Sequence, residues 1–206
     1  SPETRAALEY AKKLCAVMPP EIYAWDDAGN NRWLISGKGS GIMNPPSAWA
    51  VAKRDNPKLA EQCWTHDMPK GPKGRFVGYL PFFWGIWSFS KNKQAAKDLL
   101  LHLSEKDQAH KFVNGSQGYD IPPFKSYYDF DIWKTEGPPA GSVYNYPPRG
   151  DEETNVAGYP ARPSVANQIY THALGPNMIA RVAQANEPID KVIKWAEGEL
   201  EGYLRG

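Results

Sequence analysis

The sequence predicts an α/β fold with a small mixed sheet flanked by helices, and three observations support this class. Apolar residues recur at helical spacing near both ends of the chain. Short extended stretches lie between residues 42 and 89, and two consecutive amphipathic helices follow them. The predicted order is therefore helix, strands, paired helices, a long loop and closing helices.

The helices are predicted from apolar stripes and from the residues that end them. Over residues 3–18, one stripe carries Leu8, Leu14 and Met18, and Pro19 follows at its end. A short helix is expected from Ser47, a favoured capping residue. Further helices are predicted at residues 92–103, 104–115, 164–174, 177–184 and 188–204.

Extended structure is predicted at Ile42 and Met43, at residues 61–69, and in residues 78–90, GYLPFFWGIWSFS, called here the aromatic segment. Six of these thirteen residues are aromatic and none is charged. Both faces of such a strand are apolar, so we expect it to be covered on both sides. The segment is too short to span a bilayer, which needs about 20 apolar residues.

Composition and motifs exclude several classes of function. The net charge is +1, with 24 Lys and Arg against 23 Asp and Glu, so no nucleic-acid partner is expected. The glycine-rich stretch at 37–41 lacks the spacing of a phosphate loop, and no metal, cofactor or catalytic motif is found. Cys15 and Cys63 lack paired spacing; free thiols are the simpler expectation, although a disulfide stays open.

Aromatic residues are the unusual part of the composition, with 8 Trp and 11 Tyr. Large rings fill cores, but they also stack on ligands that carry an apolar face and a hydroxylated rim. Several rings stand beside polar residues where an element begins or ends, and loop ends are where binding residues concentrate. These groups are Trp25-Asp26-Asp27, Asn44 to Trp49, Phe83-Trp84-Gly85, and Tyr159 to Arg162.

Five stretches resemble one family. They are ALEYAKKL, WDDAGNNRWLISGKGSGIMNPPSAW, GIWSFSKNKQAAKDLLLHLS, and PARPSVANQIYTHAL with the later WAEGELEGY. Together they resemble the carboxy-terminal half of extracellular solute-binding proteins of family 1, the periplasmic sugar-binding components of ABC transporters. The most specific pieces are the MNPPSAW block and the SFSKNKQAAKDL block.

The resemblance implies a periplasmic-binding-protein-like (type II) lobe and a ligand cleft between two lobes. Residues 1–79 would begin the carboxy-terminal lobe, and residues 80–124 would form a hinge crossover strand and helices associated with the amino-terminal lobe. Residues 125–206 would complete the carboxy-terminal lobe. The amino-terminal lobe is expected to be absent from this chain, which would leave the crossover surface exposed and prone to self-association.

The resemblance also implies ligand contacts, carried over by position. Asn44, Ser47 and Trp49 match a strand-to-helix turn that touches the sugar. Phe83, Trp84 and Gly85 match the hinge wall, Tyr159 and Arg162 match the turn before a cleft-facing helix, and Trp25 is a further contact. At the crossing, Tyr79, Leu80, Ile86 and Phe89 are expected in the core.

The expected function is therefore binding of a sugar or polyol, without catalysis or cofactor, for delivery to ABC transporter permease subunits. The expected location is periplasmic, or extracellular and membrane-associated. Two alternatives stay open. A carbohydrate-active enzyme would need two carboxylates facing each other across a cleft, and a lectin-like module would bind sugar without a transporter.

Overall fold

The structure is a computed structural model that describes residues 1–78, 80–135, 152–155, 158 and 160–205. In chain order its α-helices are α1 (Pro2–Cys15), α2 (Gly29–Ile35), α3 (Ser47–Asp55), α4 (Pro57–Ala60), α5 (Lys93–Leu103), α6 (Lys106–Gly115), α7 (Ile132–Thr135), α8 (Pro163–Thr171), α9 (Leu174–Ala183) and α10 (Ile189–Arg205). The strands are β1 (Arg75–Gly78) and β2 (Glu152–Asn155), and short 3-10 helices occupy Pro20–Ala24 and Lys125–Tyr127.

The chain divides into two compact units. The first unit contains Ser1–Asp27 and Thr154–Gly206, and the second contains Ala28–Glu153. The lobe boundaries at residues 79 and 124 refer to a two-lobed protein and stay a prediction.

The first unit is a helical group built on the amphipathic patterns of its helices. α9 packs against α1 and α10, and α8 packs against α10. Leu8, Val182 and Val192 are its buried apolar centre. Helix α1 begins at Pro2, with the Ser1 hydroxyl accepting a hydrogen bond from the Thr4 amide, as an N-terminal cap does.

The helix predictions at both ends of the chain are confirmed, with two boundaries corrected. Helix α1 ends at Cys15 and not at Met18. The break between α8 and α9 falls at Ala173, which adopts a left-handed backbone conformation, and not at Gly175-Pro176. Pro176 instead lies in the first turn of α9, where the missing amide hydrogen would have had no helical partner.

The second unit has a core rich in large rings. Trp49 and Ala52 of α3, Val113 of α6, and Phe130 and Trp133 around α7 are buried together. Helix α2 packs against α3, and α3 packs against α4. Trp133 donates its indole N–H to the Gly118 carbonyl oxygen at 2.8 Å, so this buried ring has a partner for its polar group.

The predicted small mixed sheet is not found in the described part of the chain, where β1 and β2 form a two-stranded sheet. Residues 42–43 and 61–69 lie outside regular secondary structure, so both strand predictions were wrong. Each stretch has alternating or apolar residues, but among the described residues no strand lies beside it to receive its backbone hydrogen bonds.

The aromatic segment also differs from its prediction. Strand β1 ends at Gly78, and residues 80–86 are irregular up to the turn at Trp87. Leu80 and Phe89, expected in the core, are exposed, while Ile86 is half-buried. Tyr79 lies outside the described residues. The expected cover on both faces is therefore wrong for the described residues, and the expected exposure of this apolar surface is confirmed.

Candidate ligand-binding site

Four polar side chains meet between the beginnings of α2 and α3, and they are called here the asparagine cluster: Asn30, Asn31, Asn44 and Ser47. Asn44 donates through Nδ2 to Asn31 Oδ1 at 2.7 Å and to Ser47 Oγ at 3.0 Å. Its Oδ1 accepts from Asn30 Nδ2 at 3.0 Å. Asn44 is therefore fixed from both sides of its amide.

The local sequence explains this arrangement. Gly29 is buried and begins α2, which places Asn30 and Asn31 in its first turn. Pro45 and Pro46 lead the chain from Asn44 into α3, and the Ala50 amide donates to the Pro46 carbonyl at 3.0 Å. Proline is well suited to this position because its fixed φ angle matches the start of a helix.

Ser47 has a different role from the predicted cap. It is the first residue of α3 and follows Pro46 as the N-cap, and its hydroxyl accepts from Asn44. The cluster thus brings together two of the predicted ligand residues, Asn44 and Ser47. Sequence reasoning missed Asn30 and Asn31, although an asparagine pair at the start of a helix was a visible signal.

Trp49 lies on α3 but is only 7% exposed. Its ring belongs to the core of the second unit, and Lys53 Nζ lies 5.4 Å from the ring centroid. This position does not favour the predicted stacking of Trp49 on a ligand, because protein atoms already cover the ring. What Trp49 does in this structure is anchor the helix that presents Ser47.

Trp33 is a half-buried ring on the same helix as Asn30 and Asn31. Gly39 packs so closely against it that a Cβ at position 39 would overlap the indole. Gly37, at the end of α2, has a φ of +71°. The glycines at 37 and 39 are therefore explained by the path of the chain around Trp33, with no need for a phosphate.

The aromatic segment presents its rings to solvent. Phe83 is 87% exposed and Trp84 is 55% exposed. Trp84 meets Phe112 of α6 edge to face, with 6.4 Å between ring centroids, and Trp87 stacks on Phe89 at 5.6 Å. A Cβ at Gly85 would have open space around it. Among the described residues, no hydrogen bond or ring contact joins this segment to the asparagine cluster.

The other predicted ligand residues belong to the first unit. Arg162 is exposed at the N-cap of α8 and donates through Nη2 to the Leu204 carbonyl at 3.3 Å. The preceding turn is tight, because Gly158 packs against Ala166 with a φ of +80°. Trp25 is half-buried, and Tyr159 lies outside the described residues.

Charged side chains form a separate group around α6 and α7. Lys106 Nζ lies 3.0 Å from Asp129 Oδ2, and this hydrogen bond lowers the pKa of Asp129. The ring of His110 packs at a tilt against Phe130, with 4.6 Å between ring centroids. Across the described residues, no group of three or more His, Cys, Asp or Glu side chains is placed to hold a metal ion.

Comparison with known families agrees with the resemblance seen in the sequence. A family model described as bacterial extracellular solute-binding protein matches residues 1–139. The chain therefore belongs to the bacterial extracellular solute-binding protein family. No curated protein matches the chain.

Membership of this family defines the class of function. The protein is an extracellular solute-binding component of a transporter, and its location is periplasmic or extracellular. Proteins of this family generally bind solutes without transforming them. The family supports a periplasmic-binding-protein fold, although the predicted sheet is not found in the described residues.

No helix in the described part of the chain is both long and apolar enough to cross a membrane. Cys15 and Cys63 are free, and burial raises the pKa of the Cys63 thiol.

Proposed function

We propose that the solute is a sugar or polyol and that the protein delivers it to the permease subunits of an ABC transporter. The observation that carries this proposal is the asparagine cluster, a fixed group of uncharged donors and acceptors at the start of two helices. A hydroxyl both donates and accepts hydrogen bonds, so an amide cluster of this kind suits a hydroxylated ligand.

Exposed rings supply the second element of the proposed site. Phe83 and Trp84 would cover the apolar face of a sugar, and Gly85 would let the ligand approach the backbone. Asn44 and Ser47 would meet its hydroxyls, while Trp49 would hold α3 in place from the core. Trp25, Tyr159 and Arg162 stay proposed ligand contacts. Lobe closure around the ligand would complete binding.

Isothermal titration calorimetry on the full-length protein tests this proposal. A panel of hexoses, hexitols and disaccharides is expected to include a member that binds saturably without being converted. Trp84→Ala and Asn44→Ala should each weaken that binding at least tenfold. Phe124→Ala is a matched control, since Phe124 is an exposed ring outside the proposed site.

Three results would count against the proposal in different ways. Release of product from a bound sugar would make the protein an enzyme. Unchanged affinity in both Trp84→Ala and Asn44→Ala would place the site elsewhere. Absence of permease reading frames beside the gene would argue for a module that works without a transporter.

We also propose that the chain self-associates through the aromatic segment and the exposed apolar residues of α5, the helix that follows it in the chain. No residue of α5 is buried, and Leu99 and Leu101 are exposed. The five exposed rings of the segment offer roughly 700 Å² of apolar surface if each ring contributes about 200 Å². A standard interface buries about 800 Å² on each partner, so a second copy of the same surface is of matching size.

The oligomeric state tests this second proposal. Sedimentation of the chain should show a concentration-dependent dimer, and association should strengthen with salt because Lys91 and Lys93 flank the surface in both copies. Phe83→Glu with Trp87→Glu should give a monomer at all concentrations. A wild-type monomer at 100 μM, or a dimer that the double variant leaves intact, would refute this interface.

A further inference from the structure

We infer that Asn30 and Asn31 bind the ligand directly, and that the asparagine cluster selects an uncharged ligand with neighbouring hydroxyls. This inference rests on the proposed function and deepens it. It adds two residues that the resemblance does not supply, and it states which chemical variants of a sugar the site should reject.

The hydrogen-bond pattern shows that Asn44 has no donor left for a ligand. Both hydrogens of its Nδ2 are used, one by Asn31 Oδ1 at 2.7 Å and one by Ser47 Oγ at 3.0 Å. Asn44 is thus the centre that holds its neighbours in place. The donors that remain belong to those neighbours.

Asn31 carries most of the remaining capacity. Its Oδ1 accepts from Asn44, whereas its Nδ2 makes no hydrogen bond to any residue that the structure describes. Asn30 uses one Nδ2 hydrogen for Asn44, and its Oδ1 accepts from the Asn31 amide at 2.7 Å. Asn30 therefore keeps a second Nδ2 hydrogen, and Ser47 keeps its hydroxyl hydrogen.

The remaining donors and acceptors are balanced. Each of the four oxygen atoms in the cluster has one protein partner and retains acceptor capacity, and Asn31, Asn30 and Ser47 retain donors. A hydroxyl uses both kinds of group. A carboxylate accepts only and would face unpaired oxygens, whereas an ammonium group donates only and would face unpaired N–H groups.

The neighbouring ring fits the same ligand. Trp33 follows Asn30 by three residues on α2, and residues three apart on a helix are neighbours on its surface. A ligand held by Asn30 would therefore lie near an indole. The close packing of Gly39 fixes the orientation of that indole.

Asn31→Asp is the decisive variant. One carboxylate oxygen can still accept from Asn44, so the thermal midpoint should change by less than about 2 °C, while the two free donors are replaced by acceptors. We expect the best uncharged ligand of the panel to bind about tenfold more weakly, because it loses the hydrogen bonds that the Asn31 amide donates. The matching amino sugar should gain affinity relative to the uncharged sugar.

Controls separate binding from support of the fold. Asn31→Ala should lower both the affinity and the thermal midpoint, since it also removes the acceptor for Asn44. Asn92→Asp changes an exposed asparagine at the start of another helix, with no side-chain cap bond, and should alter neither. In the wild-type protein, the matching uronate should bind more weakly than the uncharged sugar.

The outcomes distinguish this inference from the proposed function. If sugars bind and Asn31→Asp leaves both affinity and selectivity unchanged, the cluster only supports the fold and the inference fails alone. If the wild-type protein prefers the uronate or the amino sugar, the inferred selectivity for an uncharged ligand is wrong. If no member of the panel binds, the proposed function fails and the inference fails with it.

Discussion

Two groups of aromatic rings in the second unit have opposite environments. Trp49, Phe130 and Trp133 are buried together, with Trp133 5% exposed. In the aromatic segment, Phe82 and Phe83 are 81% and 87% exposed. The uncharged segment is thus the exposed group, whereas Phe130 and Trp133 are buried although charged residues flank them, so the difference arises from the elements around the rings.

The buried rings are enclosed by helices that the chain folds around them. They belong to α3 and to the region of α7, and α6 contributes Val113 to the same core. The indole N–H of Trp133 is satisfied by Gly118. The segment has no such surroundings, since α5 buries none of its residues and the described part of the unit offers no strand beside residues 80–86. An apolar run in the sequence thus predicts burial against other elements, but only the structure shows whether such elements are present.

The largest expected effect on stability comes from removing a ring of the buried group. Trp133→Ala should lower the free energy of unfolding by about 3–5 kcal/mol, because it leaves a cavity and an unpaired Gly118 carbonyl. Trp87→Ala, in the exposed group, should change it by less than about 0.5 kcal/mol. Urea unfolding of the monomeric chain measures both. If both variants lost the same free energy of unfolding, the aromatic segment would be packed in solution, and the two groups of rings would not differ in environment.

A smaller effect on stability is expected at Trp33, whose half-buried ring is intermediate in exposure between the buried and the exposed groups. Gly39→Ala would force a methyl group into the indole and should cost about 1–3 kcal/mol. Gly41→Ala is the matched control, since a Cβ there has open space and should change stability by less than about 0.5 kcal/mol. Thermal unfolding of both variants checks the prediction, and similar midpoints would show that Trp33 moves away without cost.

The smallest effect concerns Trp195 in the first unit, a ring covered by a cation. Arg181 lies 4.3 Å from the ring centroid and is held by Glu187 through contacts of 2.8 and 2.9 Å. The hydrogen bonds from Arg181 and Lys191 lower the pKa of Glu187 from 4.5 to about 2. Because the folded state holds this proton less tightly, the stabilisation is present above pH 4.5 and is lost as the pH falls toward 2.

Glu187→Gln should therefore destabilise the protein slightly at neutral pH, and the difference from the wild type should shrink between pH 4.5 and 2. Thermal midpoints across this range provide the measurement. Glu201→Gln removes an exposed pair with Arg205 and serves as the control. A gap between Glu187→Gln and the wild type that stays constant with pH would assign the effect to packing and not to the charge.

Much of the helical structure was predictable from the sequence, because its determinants are local. The stripe through Leu8 predicts α1 without reference to the rest of the chain, although the helix ends at Cys15, before the proline that was expected to stop it. The strands were not predictable in this way, because a strand requires a partner that the sequence pattern does not name. Residues 61–69 alternate suitably and still form no strand.

The candidate site was predictable only in part, and for a related reason. Asn44 and Ser47 belong to the MNPPSAW block, which can be recognised in the sequence. Asn30 and Asn31 can be assigned to the site only from the packing of α2 against α3. Trp49 shows the reverse case. Its position close to Asn44 and Ser47 in the sequence suggested a ligand contact, but its ring is buried in the core of the second unit.

The exposed aromatic segment also has a consequence for how the protein can be handled. Chymotrypsin cleaves after large aromatic residues and needs an irregular, accessible backbone, which residues 80–86 provide. Limited digestion should therefore cut first at Phe82, Phe83 or Trp84. The rate of that first cut becomes a direct readout of whatever covers the segment, and it needs no knowledge of the ligand.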